Sequence, residues 1–418
     1  MKGALAFALV QLLTGMQFLA AQGHGAPTPL ASVVAEAENN NTQIAAADHA
    51  WHAAAPQFAA QDPQLADAHL CQSDLSGADL RPASNFSGSD PNQPDRSNPR
   101  AEPCKTTLSS SQIAAQRESD SQRAQIEIVR SNIVERVKDI YLRLAYLYQM
   151  YILDDRGAGD LAALIQNELS RYSQGIGGQS DVLHAQLERT KLLRETTRHH
   201  EEVGGLQAEL KGLLHRAPDS PDVIPDSLSS SKLKESSSML LAQAEDRNPT
   251  LVADRAIIDA QAARLESVRG GEPESTPGFM LRHTDVDDPD NYLLVPNRQF
   301  SRVSRPNQEI TEAAERLESS RAVASEDRLR RLAEVQKQYT VATSSEELMR
   351  ECKEGLIPQS KALYESKLAA YQSDREGFGA VIEALLDQIS FEDDLLQALL
   401  EHETALAHLE ALTGEKLR

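Results

Sequence analysis

Apolar residues between positions 126 and 147 follow a fixed rhythm. Ile126, Val129, Ile133, Val137, Ile140, Leu144 and Leu147 are spaced 3, 4, 4, 3, 4 and 3 residues apart. An apolar seam recurring every 3.5 residues lets helices pack knobs-into-holes. The pattern predicts one long helix over 109–174, roughly 100 Å at 1.5 Å per residue. Gly157 and Gly159 predict a weakened or kinked stretch, after which Leu161, Leu164, Ile165 and Leu169 resume the seam. Residues 175–178 (GIGG) read as a tight turn. Asp181 then starts a return helix to about His215, its carboxylate set to satisfy free N–H groups at the helix start.

The same order occurs twice. In the first half, 32–58 reads as an Ala-rich helix, 64–108 as a Pro-rich irregular region and 109–215 as the long hairpin. In the second half, 240–268 is helical, 270–307 irregular, 310–371 a long helix with Pro358 as an expected kink, 373–379 a turn and 380–412 the return helix. Tyr172 stands 199 residues before Tyr371, and the same offset relates Val182 to Val381, Leu183 to Ile382, Leu210 to Leu409 and Leu213 to Leu412. Upstream, Asn41 aligns with Asn248 and Ile44 with Leu251 at an offset of 207. One register held over so many positions indicates duplication of a unit about half the chain long. Residues 217–238 join the halves.

Composition narrows the class. Of 418 residues, 40% are hydrophobic but only 4% aromatic. Burial must therefore come from many narrow helix seams, since aromatic rings supply the largest buried areas. The net charge is -21, which repels nucleic-acid phosphates and excludes nucleic acid as a partner class. Lys2 followed by the apolar run 4–21 and small residues reads as a secretory leader over 1–26. No later run approaches the roughly 18 apolar residues of a spanning helix. Membrane entry by the mature chain would therefore need a β-barrel or surface attachment. Fragments of strand pattern occur at Phe279, Leu281, Leu293, Val295 and Phe300, and 64–108 alternates poorly.

Candidate chemistry is sparse. Cys71 and Cys104 lie in one Pro-rich region and form a possible disulfide that leaves Cys352 free; three simple thiols are the competing reading. His49 and His52 stand three apart on a helix without a third ligand, so no metal and no cofactor is expected. His199, His200, Glu201 and Glu202 point around a helix as a solvated face. Asp154, Asp155 and Asp160 flank the glycines as an exposed kink. Tyr141, Tyr146, Tyr148 and Tyr151 read as inter-helix packing with hydroxyls in water. No nucleophile–base signature is present, so an enzyme is not expected.

The residues NNNTQIAAADHAW, DPQL, RYSQGIGGQSDVLHAQLERTKL and LQAELKGLLHRAPDSPDVIPDSL in the first half, with AEDRNPTLVADRAIIDAQAARL, LIPQSKALYESKLAAYQ and the terminal LAHLEALTG in the second, resemble the TolC family of outer-membrane efflux ducts. The family carries an Asn-Pro-x-Leu entry, a Tyr-x-x-Gly turn followed by Asp-Val-Leu, and a final Leu-x-x-Leu-Thr-Gly. The resemblance implies a mainly α fold: long antiparallel coiled-coil helices in two structural repeats forming an α-barrel, with short, weak β-strand pairs for a shared trimeric β-barrel. The repeats would cover 27–216 and 239–418. It further implies a homotrimer in the outer membrane and periplasm, set in outer-membrane lipid. Such a duct is a passive conduit that receives solutes from an inner-membrane pump through a periplasmic adaptor. By the same resemblance, Gly175, Ile176, Ser180, Asp181 and Val182, with Gly377, Phe378 and Val381, form the periplasmic tip that meets the adaptor. The poor strand alternation leaves an alternative, a soluble periplasmic helical-hairpin protein acting as a binding or assembly module.

Overall fold

The computed structural model describes residues 26–60, 110–175, 178–270, 278–283, 292–297 and 306–417. In chain order the elements are α1 (Leu30–Asn40), α2 (Thr42–Ala60), α3 (Ser110–Ser173), α4 (Gln179–Leu213), α5 (Ser237–Arg247), α6 (Pro249–Gly270), β1 (Gly278–His283) and β2 (Tyr292–Asn297). There follow α7 (Pro306–Glu351), a π-helical turn (Cys352–Leu356), α8 (Ile357–Gln372) and α9 (Phe378–Thr413). The leader up to residue 25, the region 64–108 with Cys71 and Cys104, and Ile176 lie outside the described residues.

Long helices form where the apolar seam is regular. Ile126, Ile133, Val137, Ile140, Leu144 and Leu147 are all buried, with Val129 packed alongside. The predicted single helix over 32–58 is instead two. Asn41 leaves helical geometry (φ −68°, ψ 123°), and its side chain caps α2: Oδ1 accepts the Gln43 N–H at 2.9 Å and the Ile44 N–H at 3.4 Å. Asn248 divides α5 from α6 in the same way, accepting the N–H groups of Thr250 and Leu251 at 3.0 and 3.2 Å. A capping amide satisfies donors that no helical carbonyl can reach.

One further expectation is corrected, and a second takes a specific form. α3 runs unbroken through Gly157 and Gly159. A Cβ on Gly157 would lie 2.7 Å from Ile389 Cδ1 and 3.2 Å from Leu192 Cδ1, so this glycine permits close approach of α9 and α4 to α3. At Pro358 the irregularity is a π-turn. The Ile357 N–H reaches back to the Cys352 carbonyl, since Pro358 lacks a donor and its ring crowds the carbonyl four residues earlier.

The chain divides into two units. One comprises Met1–Ala47, Ile126–Leu251 and Asp327–Arg418; the other comprises Asp48–Gln125 and Val252–Glu326. The first holds the large cores. One core joins α1, α3 and α4 through Val33, Ala37, Val137, Ile140, Leu144 and Leu210. A second joins α3 and α4 to α8 and α9 through Leu161, Leu164, Val182, Phe378, Val381 and Ile382. A third joins α5, α7 and α9 through Leu240, Ala244, Val335, Leu406 and Leu409. The segment after α4 is pinned to this unit by hydrogen bonds. Tyr141 Oη donates to the Thr28 carbonyl at 2.9 Å and accepts the Asp226 N–H at 2.8 Å. Gln207 brackets Val223 through both backbone groups, and the two ring nitrogens of His402 lie 2.9 and 2.8 Å from the carbonyl oxygens of Ala342 and Ser231.

In the second unit, Leu265 of α6 packs with Ala313 and Leu317 of α7. Trp51 Nε1 donates to the Ser119 carbonyl. β1 and β2 pair antiparallel in a register from Gly278 opposite Asn297 to His283 opposite Tyr292. Pro296 lies within β2, opposite Phe279.

Candidate functional site

The turns that end the two hairpins share one backbone design. In the first, the N–H groups of Gln174 and Gly175 donate to the carbonyls of Arg171 and Tyr172 at 3.0 and 2.9 Å. In the second, those of Ser373 and Asp374 donate to Ala370 and Tyr371 at 3.2 and 3.0 Å. Gly175 has φ 75° and Asp374 has φ 54°; glycine enters this left-handed region freely, and Asp is among the few other residues that tolerate it. Gly178 and Gly377 then occupy the N-cap positions of α4 and α9.

Asp181 is not the cap. It sits in the first turn of α4, its N–H donating to the Gly178 carbonyl at 3.2 Å, and its carboxylate favours the positive end of the helix. Val182, Phe378 and Val381 are buried and shape the turns from inside. Gly175, Ser180 and Gly377 are the exposed members of the predicted tip.

Sequence reasoning missed the contacts that tie the turns together. Tyr371 Oη donates to Glu168 of α3, whose side chain is almost fully buried. Arg171 lies over the Tyr371 ring, 4.7 Å from its centre, and pairs with the Asp374 carboxylate. Burial, and then the Glu168 carboxylate, push the Tyr371 hydroxyl above its ordinary range, which keeps it a donor. Two residues of the first hairpin thus hold two of the second. The signal was a charged residue on each side of the turns, but the pairing spans 203 residues of sequence and no local pattern encodes it.

Farther along the helices lies a buried polar cluster. His199 Nδ1 is 3.0 Å from Asp154 Oδ2, and both side chains are about 95% buried. Arg198 Nη2 donates to His199 Nε2 at 3.0 Å. A neutral ring carrying its proton on Nδ1 satisfies both contacts. Burial pushes the Asp154 carboxyl up and His199 opposes it. Tyr146 Oη donates to Asp393 at 3.2 Å across to α9. His199 is therefore not on a solvated face, Asp154 is not part of an exposed kink, and the hydroxyls of Tyr141 and Tyr146 bond to protein.

A cavity of about 250 Å³ is lined by Asn132, Glu135, Asn248, Arg331, Glu334 and His408, among others. His408 Nδ1 pairs with Glu135, which raises its affinity for a proton. No group of three or more His, Cys, Asp or Glu side chains capable of holding a metal occurs among the described residues. Cys352 is a buried free thiol. No helix among the described residues is long and apolar enough to cross a membrane.

No protein-family sequence model matches the chain, and no curated protein matches it by sequence. Solved structures do match its fold. The outer-membrane channel OprN superposes with a TM-score of 0.67 at 13% identity, covering 92% of this chain and 89% of that one. The outer-membrane protein VceC from Vibrio cholerae gives 0.64 at 14% identity, over 93% and 97%. The outer-membrane channel MtrE of Neisseria gonorrhoeae, in its open state, gives 0.63 at 15% identity, over 93% and 89%. The chain has the fold of these channels along nearly its whole length.

Proposed function

We propose that this chain is the outer-membrane duct of a tripartite efflux system, exported across the inner membrane and assembled as a homotrimer. It acts as a passive conduit for solutes delivered by an inner-membrane pump through a periplasmic adaptor. The observation that carries this reading is the likeness in fold to solved outer-membrane proteins, over more than nine-tenths of both chains for VceC. A duct needs no catalytic group, in keeping with a sequence that lacks nucleophile–base signatures. The antiparallel pair β1–β2 is the part of the chain suited to a shared barrel.

The hairpin turns are the end at which the duct meets its adaptor, through the exposed Gly175 and Gly377 and the side chains of Ser180 and Asp181. The contacts from Glu168 and Arg171 to Tyr371 and Asp374 bind the hairpins to each other, so their release separates the turns and widens that end. Fractionation tests the proposal. The full-length chain is expected in the outer-membrane fraction as an oligomer that needs detergent, and it forms conducting pores in a planar bilayer. A detergent-free monomer in the periplasmic extract would instead establish the soluble binding or assembly module.

A further inference from the structure

The cavity between α3, α6, α7 and α9 is walled by residues of the first unit. Most charged groups on its walls have partners. Glu135 holds His408, and Glu334 accepts from Lys337 at 3.2 Å and from Gln338 at 2.6 Å. Arg331 is the exception. The acids one turn away on α7 are engaged elsewhere, Asp327 with Arg330 and Glu334 with Lys337. Among the described residues no carboxylate pairs with the Arg331 guanidinium, and its Nε–H is buried without an acceptor.

A cation partly withdrawn from water and given no counter-charge is costly. The free fork of a guanidinium takes a carboxylate or a phosphate on two parallel N–H bonds. The walls choose between these anions. Glu135 and Glu334 repel a doubly charged phosphate more strongly than a single carboxylate. Ile128, Pro249, Ala411 and Leu412 present apolar carbon, which an organic ligand can cover and phosphate cannot. The first turn of α6 lines the same space, and its positive dipole end favours an anion. An apolar cavity of about 150 Å³ in a protein interior accommodates benzene. A volume of about 250 Å³ therefore takes a ring of that size with a carboxyl group attached.

We infer that this cavity is a binding site for a small organic monocarboxylate. The carboxylate forms a two-pronged ion pair with Arg331, and the apolar body lies against Ile128 and Leu412. The site is away from the hairpin turns and stands whether or not the chain is a duct. A bound ligand ties α7 to α3 and α9, so occupancy raises the stability of this unit.

Benzoate is the probe. Calorimetry on the purified full-length chain is expected to show one saturable benzoate site per chain. Benzamide, of the same shape without the charge, should bind at least about tenfold more weakly, and inorganic phosphate more weakly than benzoate. Arg331→Gln should lower benzoate affinity at least about tenfold, with Arg331→Lys in between, since lysine lacks the fork. Photolabelling of the parent chain with 4-azidobenzoate locates the site without any substitution. The label is expected on peptides containing 128–135 or 408–412, and excess benzoate should suppress it. Benzoate that does not saturate, binds no better than benzamide or protects a different region overturns the inference. So does an affinity unchanged in a folded Arg331→Gln chain, or phosphate that binds more tightly than benzoate.

Discussion

The side-chain amide of Asn248 donates to the carbonyl oxygen of Leu412 at 2.9 Å, closing the end of α9 against the start of α6. Asn41 makes the same bond, at the same length, to Leu213 at the end of α4. Each asparagine caps one helix with its oxygen and terminates another with its nitrogen. Asn41→Ala and Asn248→Ala are each expected to lower stability by about 1–2 kcal/mol, read as a shift of the urea midpoint in detergent. Asn→Asp should recover less than half of that loss, because a carboxylate keeps the cap but cannot donate to the carbonyl. Full recovery would show that only the cap matters.

The four positive-φ residues among those described form two pairs at the repeat offset: Gly175 with Asp374, and His215 with Gly414. At the helix ends, His215 adopts φ 56° and Gly414 φ 67°. A Cβ on Gly414 would also lie 3.2 Å from the Arg247 carbonyl oxygen. Gly414→Ala is therefore expected to destabilise by more than about 1 kcal/mol, and His215→Gly to stabilise by up to about 1 kcal/mol. Thermal unfolding of the two variants decides it; shifts of the same sign would contradict the equivalence.

Asp154 and His199 are buried together, so removing one strands the other. Asp154→Leu and His199→Leu should each cost roughly 3–5 kcal/mol, while the double variant costs less than the sum. Strict additivity would mean that the pair carries no coupling.

A pH effect follows from His408. Hydrogen bonding to Glu135 raises its proton affinity, Asp139 and Glu334 add to it, and burial opposes it. A raised folded-state value makes the stabilisation complete below the ordinary histidine value of about 6.5 and loses it as pH rises through the folded value. The melting midpoint should therefore fall on the alkaline side of that value. His408→Gln should flatten this segment of the profile, and an unchanged slope would remove His408 from the account.

At the hairpin turns, Arg171→Ala combined with Tyr371→Phe leaves Asp374 and Glu168 without their cross-hairpin partners. If the duct reading holds, single-channel conductance rises while oligomer yield in the outer membrane stays as in the parent. Unchanged conductance with intact assembly would show that these contacts do not restrict the passage.

Much of this architecture was legible because it is periodic. The heptad rhythm from Ile126 to Leu147 identified a long helix and its buried face, and the 199-residue offset matched turns that share the same backbone hydrogen bonds. Local chemistry failed where a partner lies far along the chain. The sequence marks Gly157 as a weak point in a helix, but only the position of Ile389 makes it a site of close packing. His199 sits among polar neighbours, and only the fold brings Asp154 to it.

By itself, then, the amino-acid order determined that long helices form, where they reverse and that the unit is duplicated, because backbone hydrogen bonding and apolar spacing act over a few residues. The tertiary structure alone decided which polar groups are buried, which hairpin covers which, and that Arg171 and Glu168 reach Asp374 and Tyr371. Those outcomes depend on how separate helices lie against each other, and that is fixed by the shape of whole side-chain layers.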